Sequence, residues 1–300
     1  MLRRAWWHSS RRARTRGTSS RCGTRAGTAT TTGRSSPPTA ARSSPARRVV
    51  RCAATRPASL AARSTSRSDR GSMNAGGVAR DGAAPRRAVV TGASSGIGEA
   101  FARRYAAAGY AVTLVARRAD ELARVADEIG VGGGGAAGAD VLVADLATDD
   151  GLAALASVAR DAEALVLNAG ITRAAAVGTT DRATQERMVR LLATGVSRTC
   201  EAVVPAMVSR GRGEVVIVSS IGAYAPMRKS ALYAAAKAYA AAYARSLALE
   251  VAPRGVRVCA VCPGYVRTAI HNAAGLAHLR RRIPSWLWCD PDDVVDATMR

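Results

Sequence analysis

Lysine is nearly absent from this chain: of 44 basic residues only Lys229 and Lys237 are lysine, and the rest are arginine. Phenylalanine occurs once, and the three histidines (His8, His271 and His278) have no spacing that would set two imidazoles on one metal. The six cysteines, at 22, 52, 200, 259, 262 and 289, show no zinc-ligand pattern. Cys259 and Cys262 form a CxxC, but inside VRVCAVCPG, which reads as buried strand and not as the helix N-terminus that activates a thiol. Reduced thiols and no metal are expected. No run of 18 apolar residues occurs, so no transmembrane segment is expected.

What is present is charge, unevenly placed. Residues 1–84 hold 18 Arg and 23 Ser or Thr against two acids, Asp69 and Asp81, whereas residues 85–300 hold 26 Arg and Lys against 20 acids. The first segment has few large apolar residues and no hydrophobic period, so burial cannot offset its ordering entropy and it is expected to be disordered. An N-terminal segment rich in Arg and Ser and poor in acids reads as an organelle transit peptide, with RVVRCAAT (48–55) resembling a plastid processing region more than a mitochondrial one. Two alternatives stay open. Dense arginine also suits nucleic-acid phosphates, and a start at Met73 would leave a cytoplasmic protein.

From Arg86 the pattern changes to short β-branched runs alternating with Ala-rich helical stretches. Strands are expected at 87–91, 111–116, 140–144, 164–168, 214–219 and 256–262, with helices near 97–108, 119–129, 149–160, 181–209 and 231–252. Near-continuous apolar runs are strands covered on both faces, and their alternation with helices predicts an α/β fold with a doubly wound parallel sheet. GVGGGGAAG (130–138) reads as a loop between the second helix and third strand.

The first strand runs into TGASSGIG (91–98) and then a helix. Gly92 permits the tight turn, Gly96 lets backbone approach a pyrophosphate, and Gly98 allows close helix–strand packing, with the helix N-terminus offering N–H groups to phosphate. Further along, Tyr233 and Lys237 lie four apart on a helical pattern, hence on one face, and Ser220 ends the fifth strand thirteen residues before Tyr233.

With TGxxxGxG, NAG (168–170), the Ser220 spacing and YAAAK (233–237) in order, residues 86–300 resemble the short-chain dehydrogenase/reductase family. The resemblance implies a Rossmann-type fold and cofactor contacts from Gly92, Ser94, Ser95, Gly96, Ile97 and Gly98 in the turn, from Asp145 and Leu146 beside the adenine, and from Asn168, Ala169 and Gly170. Further contacts are implied from Pro263, Gly264, Val266 and Thr268 after the sixth strand, and from Tyr233 and Lys237. Where NAD enzymes of the family place an Asp, this chain has Ala116, followed by Arg117 and Arg118; a guanidinium suits a 2′-phosphate, so NADP is the expected cofactor. For Arg118, simple solvated charge is the open alternative.

The implied reaction is hydride transfer between NADPH and a carbonyl, run in either direction. Ser220 would hold the carbonyl oxygen and Tyr233 would give the proton. Lys237 would lower the phenol's pKa. A 3-oxoacyl thioester reductase is one subclass this leaves open, and a non-catalytic NADP-binding scaffold is the rival class. Two departures motivate the rival. Leu192 stands where the family has a water-holding Asn, and the chain stops where the family's seventh strand would follow, which leaves a sheet edge expected to be exposed. With a complete C-terminus, a homo-oligomer is expected. Trp286, Leu287 and Trp288 are candidates to line an apolar substrate pocket, with ordinary packing or a membrane-surface contact as the alternatives.

Overall fold

The computed structural model describes residues 85–132, 139–225, 227–269 and 282–299, together with the backbone of Val50–Arg51. All of these lie within the unit Pro45–Arg300. The reading of residues 1–84 as a disordered leader, and the three histidines, fall almost wholly outside the described residues.

Six parallel strands form the sheet: β2 (Arg87–Thr91), β3 (Ala111–Ala116), β4 (Ala139–Val143), β5 (Ala164–Leu167), β6 (Gly213–Val218) and β7 (Val256–Cys262). A two-residue strand, β1 (Val50–Arg51), pairs antiparallel with β7, giving the order β1-β7-β6-β5-β2-β3-β4. The edge of β7 that the sequence left exposed therefore carries two residues of the chain's own N-terminal region. This corrects the expectation of a bare edge.

Helices α1 (Gly96–Ala107), α2 (Ala119–Gly132), α3 (Asp149–Ala159), α4 (Arg182–Val189), α5 (Gly195–Ser209), α6 (Ala231–Val251) and α7 (Pro291–Thr298) cover both faces. Strand alternation assigns the layers. Val89, Leu165, Val215 and Ile217 pack with Leu155, Cys200, Met207 and Ala244 of α3, α5 and α6. Their neighbours Val90, Val166, Val216 and Val218 face Phe101, Tyr105, Leu122, Val125 and Val294 of α1, α2 and α7. Helix α2 extends through Gly132, so the first three residues of the glycine tract are helical rather than loop.

The helix expected over 181–209 is two α-helices joined through a π turn, Arg190–Thr194. By length and composition this 28-residue run passes for a membrane span, its most apolar 18 residues having a mean hydropathy of 1.2, but half of that window is buried inside the domain. It serves as a core helix. Cys259 and Cys262 sit on β7, half-buried and buried respectively, in keeping with core packing.

β2 pairs with β3 on one side and β5 on the other, so the chain reverses its winding direction at β2. A cleft outside the carboxyl ends of the strands is the consequence of that reversal.

Candidate active site

The turn after β2 is shaped by two glycines in the left-handed region, Gly92 (φ 66°) and Gly96 (φ 62°). Gly98 is needed for space: a Cβ there would lie 2.3 Å from the Gly92 carbonyl oxygen. Ser95 precedes α1 without a side-chain capping bond, which leaves the helix's first N–H groups to a ligand or water.

Thr91 and Asn168 staple this turn to the end of β5. The Thr91 hydroxyl donates to the Val166 carbonyl (3.0 Å) and accepts from the backbone N–H groups of Asn168 (2.9 Å) and Ala169 (3.1 Å). The Asn168 amide donates to the Thr91 and Gly92 carbonyls at 3.1 and 3.3 Å. The Asn168 side chain thus holds the turn against the end of β5. Thr91 is a hub that sequence reasoning passed over, although it opens the TGxxxGxG motif. A Cβ on Gly96 would lie 2.8 Å from Thr268 Cγ2, so Thr268 packs against the same turn. Ile97 and Val266 pack in the core beneath it.

Arg118 is more than solvated charge. Its guanidinium donates to the Ser94 carbonyl (3.2 Å), Ser94 Oγ (3.0 Å) and Ser95 Oγ (2.9 Å), lying across the turn. Arg117 is exposed, and its charge acts on Asp145. Asp145 accepts from the Ala147 N–H (3.0 Å) and from Arg187 of α4 (2.6 Å). Burial works to raise this carboxyl's pKa, but the bonds from Arg187 and Ala147 and the charges of Arg187 and Arg117 outweigh it and hold it below the usual range. Arg187 had no motif to announce it. Leu146, next to Asp145, is buried in the core.

A continuous line of contacts leads from the turn to the reaction centre. Ala169 abuts Gly92, and a Cβ on Gly170 would lie 3.9 Å from Lys237 Nζ and 3.3 Å from Leu192 Cδ2. Ser220 follows β6 and accepts the Gly222 N–H at 3.1 Å. Beside Gly222 it meets the ring of Tyr233, which rises from the first turn of α6. The Ile221 N–H donates to the Pro263 carbonyl (2.8 Å), joining the Ser220 turn to the segment after β7, whereas Gly264 has open space about it.

Lys237 is buried, and its ammonium donates to the Val218 carbonyl at 2.7 Å. Its own carbonyl accepts from Ser219 Oγ at 2.7 Å, which pins α6 to β6. Burial pulls the lysine down to about 8. Burial also pushes the Tyr233 phenol upward, and the neighbouring Ser220 hydroxyl opposes that shift. The Lys237 ammonium is turned to the Val218 carbonyl. Leu192 lies on the π turn and packs with Met188, Ala193, Ala236 and Tyr233. The wall behind Tyr233 is therefore apolar, where an amide would have offered polar atoms.

On the outer side of the cleft, Tyr265 contacts Met227 Sδ through its hydroxyl (4.0 Å) and sets its ring 5.4 Å from that of Trp288. Strands β8 (Tyr265–Val266) and β9 (Trp288–Cys289) pair in parallel and hold this layer. Trp288 is buried, whereas Trp286 and Leu287 stand at the surface. Of the three candidate pocket residues, Trp288 is thus a packing residue.

A family model described as short chain dehydrogenase matches residues 86–277. An uncharacterized oxidoreductase of Bacillus subtilis, YmfI, is 33% identical over 222 residues, spanning 71% of this chain and 89% of that protein. Among solved structures, a short-chain dehydrogenase from Sphingobium yanoikuyae in complex with NADPH matches with a TM-score of 0.66 at 32% identity, covering 71% of this chain and 83% of that one. A bulky-bulky ketone specific alcohol dehydrogenase from Comamonas testosteroni matches with a TM-score of 0.63 at 28% identity, over 71% and 81%. A three-layer parallel sheet, a TGxxxGxG turn at its winding reversal and a Ser220–Tyr233 pair beside Lys237 agree with these likenesses, and the chain belongs to the short-chain dehydrogenase family of oxidoreductases.

Proposed function

We propose that this protein is an NADP(H)-dependent carbonyl reductase, working on a ketone or aldehyde with an apolar body. The observation that carries the reading is that Ser220 and Tyr233 meet beside Gly222, in the same cleft as the glycine turn. The residues present fit a dinucleotide. The α1 N-terminus has no side-chain cap, Gly92 and Gly98 leave no room for a side chain under it, and no carboxylate stands at Ala116 to repel a 2′-phosphate. Arg117 and Arg118 would hold that phosphate, with Arg118 preorganised by Ser94 and Ser95. When bound, the dinucleotide supplies the hydride. Ser220 donates a hydrogen bond to the carbonyl oxygen as it gains charge, Tyr233 gives that oxygen its proton, and the buried Lys237 ammonium adds positive potential nearby. The NADPH complex of the Sphingobium enzyme supports the cofactor assignment.

The test is reductant consumption with a panel of ketones and aldehydes, using NADPH and NADH in parallel. NADPH is expected to be preferred, and Tyr233→Phe to lose about 10³-fold in kcat. Cofactor binding without turnover on any carbonyl would reject the reductase and favour the scaffold reading, which the apolar Leu192 wall motivates. The 3-oxoacyl thioester subclass belongs to the same panel. The organelle address carried by the basic leader also stands as a proposal, tested by N-terminal sequencing of the mature protein; loss of the leader would remove nucleic-acid binding through it.

A further inference from the structure

A cavity of about 310 Å³ opens at the amino ends of the strands, the opposite end of the sheet from the glycine turn and Ser220. Strands β2, β3 and β4 wall one side, and the last turn of α3 with Asp161 beyond it walls the other. Strand register accounts for its floor. Thr113 pairs with Val89 of β2 and Asp140 of β4, and Leu142 pairs with Val115. Val89 and Val115 belong to the layer under α3, so Thr113, Asp140 and Leu142 face α3 as well.

Thr113 is the anomaly of β3. Its companions in AVTLVA are all apolar and it is only 4% exposed, yet it borders the cavity with a hydroxyl that has no hydrogen-bond partner among the described residues. A buried hydroxyl without a partner destabilises a fold, and a valine of the same shape would fill the place. Charge at the mouth is unbalanced too. Arg87 is paired with Asp140 at 3.6 Å, and Arg210 donates to the Arg160 and Ala162 carbonyls on either side of Asp161 at 2.9 and 2.8 Å. Asp161 itself makes no ion pair or hydrogen bond among the described residues. Between this mouth and the Thr113 floor, Leu142 and Val158 supply apolar walls.

We propose that the cavity is a second binding site, for a small organic monocation. The ligand is a primary amine whose ammonium meets Asp161, whose apolar body lies between Leu142 and Val158, and whose far end offers a polar group to Thr113. The volume stands at the lower end of small-molecule sites. An anion is disfavoured, because it would meet two carboxylates while the Arg87 guanidinium is already paired. The site stands apart from the reductase reading, since none of the hydride-transfer residues borders it.

The experiment is a calorimetric titration of the full chain with NADPH present in excess to fill the catalytic cleft. Its probes are tyramine, phenethylamine and phenylacetate: an amine with a terminal hydroxyl, the same amine without it, and an anion of similar body. Tyramine is expected to bind at one site with a Kd of about 1 mM, and phenylacetate not to bind. Asp161→Asn is expected to weaken both amines about 5-fold. Thr113→Val is expected to weaken tyramine about 5-fold while changing phenethylamine by less than about 2-fold, with thermal melts as the control for folding. No saturable binding of tyramine up to about 20 mM overturns the proposal. So does phenylacetate binding as tightly as phenethylamine, amine affinities unmoved by Asp161→Asn, or an equal change of both amines in Thr113→Val.

Discussion

At the glycine turn, polar groups are tied to named partners: Thr91 to Val166, Asn168 to Thr91 and Gly92, Arg118 to Ser94 and Ser95, Asp145 to Arg187. Around Tyr233 and Lys237 the neighbours are Leu192, Met188, Ala193 and Ala236, and the ionisable groups are shifted by burial. One end of the cleft is specified by hydrogen bonds and lack of room, the other by lack of water. Substitutions should therefore move the two ends in opposite directions. Filling space at the turn costs stability, whereas removing charge at the reaction centre restores it.

The sharpest break of this contrast is Gly98→Ala. Its Cβ would press on the Gly92 carbonyl at 2.3 Å, a backbone atom that cannot swing aside, so unfolding free energy is expected to fall by about 3 kcal/mol and NADPH binding to fail. A urea melt checks the first and cofactor fluorescence the second. A near-wild-type midpoint would show the turn to be softer than its packing implies.

Lys237→Met is expected to raise stability while abolishing turnover. The folded lysine titrates near 8 against 10.5 for the free side chain, so below pH 8 both states are charged and the folded state bears the full burial cost. Between those two values the folded state gives up its proton first, and wild-type stability rises with pH. At pH 7 the variant should therefore gain about 2–3 kcal/mol and lose this slope. Melts at pH 7 and pH 10 decide it; a variant less stable than wild type at pH 7 would mean that the bond to Val218 outweighs desolvation.

The smallest effect belongs to Arg187→Ala, which should weaken NADPH binding about 5-fold by freeing Asp145, with little change in kcat. A fall in kcat at constant affinity would instead place Arg187 in the working of the reaction centre.

The strands could be read closely because apolar β-branched runs report their own burial: 87–91, 111–116 and 256–262 are the observed bounds of β2, β3 and β7. The glycine spacing was legible for the same kind of reason, since Gly92 and Gly98 are imposed by geometry local to the turn. The partners of the Asn168 side chain were not legible. Its amide reaches Thr91 and Gly92, more than seventy residues away, and no local pattern encodes that choice. The same holds for Arg187 and Asp145. The direction of Lys237 was hidden too. A four-residue spacing puts Tyr233 and Lys237 on one helical face, but only the packed neighbours decide that the ammonium turns to Val218.

The pairing of Val50–Arg51 with Val261 and Cys262 joins residues some two hundred positions apart. As long as the chain is covalently continuous, that short strand is held near β7 at the high effective concentration of a tether, and two residues of ladder can persist. A single peptide-bond cleavage anywhere between Arg51 and Pro85 would make it a free peptide. It would then have to compete from dilute solution and would be lost by mass action. The occupancy of this edge is thereby coupled to the covalent integrity of the chain between residues 51 and 85.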